Sequence, residues 1–426
     1  MKLQCVECGV TYPTSEIVVR CMCGGLLDVV HDLATLRQTV SASQFDERLT
    51  IRSGPLASGV WRFAELIFPD ALSCVVSAAE GNTNLYASPR LAQWVGAEGL
   101  FLKHEGENPT GSFKDRGMTV GMTHARAVGA RAVVCASTGN TASSLASYAA
   151  RGGLPALVLM PAGGVAAGKL SQTVAYGART IEVRGDFDQA MRLIREVAVS
   201  ENIYVLNSIN PFRLEGQKSI AFDLLQQLNW EAPDWIVLPG GNLGNTAAFG
   251  KALREAVDLG LIRRSPRLAV IQAEGANPFY RAFRQEFQHF QPVIAKTVAS
   301  AIKIGNPVNY PKAVRSIVQT NGIVEQVTDQ EIMDAKAQVD AAGIGCEPAS
   351  AASVAGVRKL IATGQINRGD RVVAILTGHL LKDPVTTMEY HQGKLSDVVP
   401  TYPNHSTVIE GTLDQVRSIV RTLLVS

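Results

Sequence analysis

From about Ala130 onward the chain alternates short apolar runs with stretches whose apolar residues recur at helical spacing. Runs at 132–136, 156–160, 180–183, 204–207, 235–238, 268–272 and 372–376 predict strands. Stretches at 141–151, 168–176, 187–199, 214–228, 244–259, 329–341 and 349–362 predict helices between most of them. Runs that are apolar at nearly every position suit strands covered on both faces, and a parallel sheet needs crossovers that return the chain to the same end. The expected fold class is therefore α/β. Residues 295–311 hold glycine and proline without a period, and no internal repeat or low-complexity tract interrupts the pattern. A boundary is expected near 46–53, where a cysteine-bearing segment gives way to Gly54-Pro55 and a new apolar pattern.

Composition narrows the partners. With 426 residues, 46% of them hydrophobic and 18% charged, the chain suits a globular enzyme of two or three domains. Forty basic against 38 acidic residues leave a net charge of +2, too small for an electrostatic footprint on nucleic acid or an acidic membrane, so small molecules are the expected partners. No apolar run reaches the roughly 18 residues of a membrane span, and Met1 leads directly into cysteines without a signal-like apolar region. A cytoplasmic setting is expected. Seven cysteines are an odd number, and four of them crowd the first 23 residues, which does not look like a disulfide framework.

Five loops carry candidate chemistry. Lys114 stands where a Gly/Pro/Ser loop, Glu107 to Gly117, meets a helix beginning near Asp115; a lysine held there partly out of water has a lowered pKa and can act as a nucleophile, whereas an isolated one would be a surface residue beside a cap. Pro239-Gly240-Gly241-Asn242-Leu243-Gly244-Asn245 follows a strand and opens a helix, so its backbone N–H groups suit a phosphate, or else the glycines only make a tight turn. It matches neither the dinucleotide fingerprint nor the P-loop. Ser137-Thr138-Gly139-Asn140-Thr141 stands at a similar junction, as ordinary helix caps or as ligand-binding groups. Thr377-Gly378-His379 ends the last strand, with His379 either structural or a general base. Asn207-Ser208 and Arg213 precede and open a helix, with Arg213 either a surface side chain or a fork for a second anion.

Ser112-Phe113-Lys114-Asp115-Arg116 resembles the cofactor-lysine motif of the threonine synthases, within the pyridoxal-phosphate (PLP) β-family that also holds serine/threonine dehydratases and cysteine synthases. The likeness covers essentially the whole chain. Gly59-Val60-Trp61, Asn84 and Gly24 to Val29 look like the plant-type branch, while Asn140 and Lys382-Asp383-Pro384 look like the common bacterial form. Leu380 stands where the family usually has glycine. The resemblance implies PLP fold type II, tryptophan synthase β-like, with two open α/β domains and the cofactor between them. It implies an N-terminal segment at 1–48, a large domain at 49–115 with 213–426, and a small one at 116–212. Lys114 would form the Schiff base with PLP, Asn140 would meet the cofactor's 3′ oxygen, Gly241 to Asn245 would hold its phosphate, and Thr377 would face the pyridine nitrogen. Ser137 and Thr141 would hold the substrate carboxylate; Asn207, Ser208 and Arg213 would hold the phosphate of O-phosphohomoserine. The implied reaction is γ-elimination of phosphate followed by addition of water at the β-carbon, giving threonine, in a homodimer.

Cys5-x2-Cys8-x12-Cys21-x-Cys23 offers four thiols in two close pairs, which suits a tetrahedral structural zinc in a ribbon-like segment, with four reduced structural thiols as the alternative. Such a site is expected far from the cofactor. Two other functions are open: a paralogous enzyme, either a dehydratase or a synthase using another phosphorylated amino acid, and a non-catalytic zinc-ribbon protein. Intact Lys114, both glycine loops and Thr377 argue against the last.

Overall fold

The computed structural model describes residues 1–162, 167–184, 194, 196 and 201–425. Strands β1 (Lys2–Cys5), β2 (Thr11–Tyr12) and β3 (Leu27–Val30) form a small antiparallel sheet in the order β2-β1-β3. Then come β4 (Leu85–Ala87), β5 (Gly99–His104), β6 (Ala132–Ala136), β7 (Ala156–Pro161), β8 (Arg179–Val183), β9 (Ile203–Val205), β10 (Trp235–Pro239), β11 (Arg267–Ala273), β12 (Ile323–Val327) and β13 (Arg371–Leu376). The large sheet runs β12-β11-β10-β13-β5-β4 and is parallel except where β4 meets β5. A second sheet, β8-β7-β6-β9, is wholly parallel. All five residues of β6 and of β10 are buried, as their unbroken apolar runs require.

The chain leaves the large sheet after β5 through helix Lys114–Ala127, builds the second sheet, and returns through helix Pro211–Gln227 to β10. These two helices cross with their backbones in contact. A Cβ at Gly216 would overlap the Arg116 carbonyl, and one at Gly117 would lie 2.7 Å from the Arg213 oxygen. Only glycine permits that approach, and it fixes Lys114 and Arg213 relative to each other.

Pattern and structure differ where polar side chains enter the sheets. β5 ends in Lys103 and His104, both buried, so it lacks an apolar signature; Lys103 Nζ is satisfied by Asp223 (3.0 Å), Gln227 and the Thr83 carbonyl. The strand expected at 204–207 stops at Val205. Asn207 replaces the ladder with its side chain, Oδ1 accepting from Ala136 N (3.1 Å) and Nδ2 donating to Ala136 O (2.9 Å). The irregular stretch runs into an unexpected helix, Tyr310–Gln319. The helix expected at 187–199 lies almost wholly outside the described residues. Among the described residues no helix is long and apolar enough to cross a membrane.

Candidate active site

A cleft of about 1530 Å³ opens at the carboxyl ends of β6, β10 and β13, where open α/β sheets bind ligands. Of the residues named from the sequence, Lys114, Ser137, Asn140, Thr141, Asn207, Ser208, Gly241, Asn242, Leu243, Gly244, Asn245 and Thr377 all line it.

Lys114 is the first residue of its helix, and its loop is stitched to the strand end opposite: Phe113 N donates to Thr377 O (3.0 Å). The side chain is half-buried and lines the cleft. Dense packing, reinforced by the Arg213 charge and opposed by Glu347, lowers its pKa to about 7, so the amine is available as a neutral nucleophile or base. Nζ lies 4.0 Å from the Phe113 ring centroid. The next two residues of the motif serve the scaffold. Asp115 accepts from Thr110 N and Oγ1 (both 2.7 Å) and from Ser144 Oγ (2.6 Å), and burial lifts its pKa to about 6. Arg116 is fully buried against Glu105 and Asp223, 2.6 Å from each.

The glycine loop suits a phosphate. Leu243 takes a left-handed backbone (φ +61°) immediately before helix Gly244–Asp258, so the loop curls over the helix N-terminus. Both polar atoms of the Asn245 side chain, and the Thr246 hydroxyl, are buried without a partner among the described residues. Unpaired buried polar atoms are costly, and those of Asn245 border the cleft, as expected of groups that a ligand satisfies. A Cβ at Gly241 would lie 3.2 Å from Ile302 Cα, so a larger residue in the cradle would press on the 301–302 backbone. Asn309 Nδ2 donates to Ser208 O (3.1 Å) and Asn242 O (3.3 Å), joining this loop to the 207–213 segment.

On the other side, Thr377 Oγ1 lies 3.0 Å from Ser350 Oγ, and Ser350 Oγ accepts from Gly378 N (2.8 Å). Asn140 Nδ2 donates to both oxygens of Glu347, at 3.2 and 3.0 Å. Ser137 Oγ accepts from Gly139 N, shaping the turn. His379 Nδ1 accepts from Leu381 N (3.1 Å) and caps a short turn, the structural alternative for that residue.

Arg213 is not on the cleft wall. It is fully buried; Nη1 donates to Leu206 O (3.0 Å), while Nε and Nη2 have no partner among the described residues. Burial draws its pKa down to about 10, which still leaves the guanidinium charged. A buried cation without a carboxylate is unfavourable unless an anion reaches it.

Three features escaped the sequence reading. Glu347 precedes the proline that opens helix Pro348–Ala362; it is buried, and burial raises its pKa. Lys382 reaches across the cleft, donating to Thr110 O, Ser143 Oγ (both 3.1 Å) and Gln172 Oε1 (2.5 Å). Neither carries a periodic or spacing signal, because their partners are distant in sequence. The third is a correction. The sulfurs of Cys5, Cys8, Cys21 and Cys23 all lie within 4.8 Å of one another, as a tetrahedral metal would need, but the segment is not remote from the cofactor end of the molecule: Val19 and Arg20 line the same cleft as Lys114. The loop between the two cysteine pairs folds toward the site, a placement that spacing could not reveal.

Residues 76–378 match the family model described as pyridoxal-phosphate dependent enzyme. The chain is 48% identical to the threonine synthase of Methanocaldococcus jannaschii over 90% of this chain and 93% of that one. It is 45% identical to that of Methanosarcina acetivorans over 98% of each, and 39% identical to the chloroplastic threonine synthase 2 of Arabidopsis thaliana over 98% of this chain and 83% of that one. Among solved structures, Escherichia coli threonine synthase aligns with a TM-score of 0.71 over 99% of this chain and all of that one, at 19% identity, and a tomato threonine deaminase with 0.64 over 88% and 97%, also at 19%. With an orphaned phosphate cradle, a lysine near neutrality between two α/β sheets, and relatives matched over nearly their full length, the chain belongs to the pyridoxal-phosphate dependent enzymes and, within them, to the threonine synthase family.

Proposed function

We propose that this protein converts O-phospho-L-homoserine and water to L-threonine and phosphate, with PLP carried by Lys114. The observation that carries the reading is a second unpaired anion-binding group. The Gly241 to Asn245 loop lines the cleft, and the Arg213 guanidinium, buried off the cleft wall, keeps two nitrogens without a partner among the described residues; a substrate that brings its own phosphate needs a second cationic group of this kind. Bound PLP supplies an electron sink for the carbanion formed at the substrate α-carbon. Lys114, poised near neutrality, removes the α-proton and returns protons to the carbon skeleton. Asn140, fixed by Glu347, is assigned to the ring's 3′ oxygen, and Thr377, fixed by Ser350, to the ring nitrogen as a neutral partner. Ser137 and Thr141 are assigned to the substrate carboxylate. Arg213 with Ser208 is assigned to the departing phosphate, and Asn207 holds the neighbouring strand end in place.

Phosphate release measured side by side with O-phosphohomoserine, O-phosphoserine and unphosphorylated homoserine tests this. Turnover confined to O-phosphohomoserine supports it; preference for O-phosphoserine would favour a paralogous synthase, and deamination of serine or threonine a dehydratase. The same proposal includes the division into 1–48, 49–115 with 213–426, and 116–212. It also includes a homodimer, and a cytoplasmic setting supported by seven cysteines that form no disulfide. The four clustered thiols are assigned one structural zinc, with about one zinc per chain expected by elemental analysis. Zinc-free protein purified without chelators would remove that assignment.

A further inference from the structure

We propose that the four-cysteine segment is one wall of the substrate cleft and that Arg20 on it is a specificity residue for an amino acid bearing a second anionic group. The proposal rests on the function given above. Arg20 immediately precedes Cys21, is exposed, lines the cleft, and pairs with no carboxylate among the described residues; Nη1 donates to Gly24 O (2.5 Å), which ties its arm to the turn between Cys21 and Gly25. Its position is therefore set by the turn that carries two of the thiols. The segment is held to the enzyme beside both of its larger sheets. Thr14 O accepts from His124 Nε2 (2.7 Å) on the helix that Lys114 begins, and Ile17 packs on the core of the second sheet. On the other side, Asp28 pairs with Lys312 (2.8 Å) and Arg315 (2.5 Å), and His31 with Glu215 (2.7 Å). A cation fixed at the rim of a cleft attracts a phosphorylated amino acid before any of its groups dock.

The test uses the PLP-loaded full chain. Arg20→Ala is expected to raise KM for O-phosphohomoserine about fivefold or more, with kcat changed less than about twofold, and to flatten the salt dependence of kcat/KM. Arg20→Lys, which keeps the charge, is expected to restore most of both. A merely structural role would leave the salt slope alone. Cys8→Ser with Cys23→Ser is expected to lose bound zinc, retain cofactor absorbance, and raise KM without adding to the effect of Arg20→Ala, because both act on one wall. An unchanged KM and salt slope in Arg20→Ala overturns the proposal, as does loss of zinc with KM unchanged. If the cysteine variant does not fold, the two Arg20 variants decide. Should the unmodified enzyme release no phosphate from O-phosphohomoserine, the functional reading fails by itself. The dissociation constant of inorganic phosphate, read from the cofactor spectrum, then judges Arg20, with weaker binding in Arg20→Ala expected and equal binding overturning the role.

Discussion

Arg213 is fully buried and carries two guanidinium nitrogens without an acceptor among the described residues. If substrate phosphate satisfies them, Arg213→Ala removes a charged hydrogen bond from a buried anion, and kcat/KM for O-phosphohomoserine is expected to fall roughly a hundredfold or more with the cofactor spectrum unchanged. Arg213→Lys keeps the charge but not the planar fork, so KM should rise about tenfold; near-native kinetics in both variants would sink the assignment. Lys114 gives a pH prediction. Burial lowers its pKa to about 7, so the neutral amine that captures PLP dominates above neutrality. The rate at which cofactor-free protein takes up PLP, followed by absorbance, should rise through about pH 7 and level off above it; a rate still climbing tenfold per pH unit near pH 9 would mean an ordinary lysine. Both residues are legible in the sequence because their motifs carry a role. Glu347 and Lys382 also stand in family-like segments, but their roles are not legible there, since what makes them matter is contact with Asn140, Thr110 and Gln172 across hundreds of residues of chain or from a separate element.

At the scale of elements, the helices read most faithfully: 244–259 was expected and Gly244–Asp258 is found, 349–362 expected and Pro348–Ala362 found. Strands read well where the run is apolar at every position, as in β10 and in β13 after Arg371, and poorly where a buried polar group finds its partner only in the folded state, as in β5. The crossing of helices Lys114–Ala127 and Pro211–Gln227 is invisible in the pattern, because a glycine within a helix signals only lowered propensity. It yields a sharp test. Gly216→Ala gains helix propensity, worth about 1 kcal/mol at most, but forces a methyl into the Arg116 carbonyl, and overpacking of that kind costs about 1–3 kcal/mol. Net destabilisation is expected in thermal unfolding, together with weaker PLP retention as Lys114 shifts. A more stable variant would mean that the helices part easily.

Across the whole molecule, the cysteine segment is bound to the large sheet's helices through charge: Asp28 pairs with Lys312 and Arg315, and His31 with Glu215, which Lys218 and Lys251 also flank. The surrounding lysines and arginine hold both carboxyls well below the usual carboxylate range despite burial. A carboxylate whose pKa is depressed on folding contributes stability above its unfolded pKa, about 4, and loses it as pH falls toward the folded value. Thermal stability should therefore decline steeply below about pH 4, and Asp28→Asn, less stable at neutrality, should show a shallower acid decline; equal acid slopes in the two proteins would show that this anchor does not govern the transition. The path of the chain has a consequence of another kind. The excursion that builds β6 to β9 begins and ends at the helix crossing, where Gly117 and Gly216 bring its two ends together. An excursion with touching ends can be cut out and replaced without rethreading the rest, so recombination between relatives, or a deliberate graft of another enzyme's segment between those glycines, would exchange one side of the cleft while leaving Lys114, the phosphate cradle and Thr377 on their original frame.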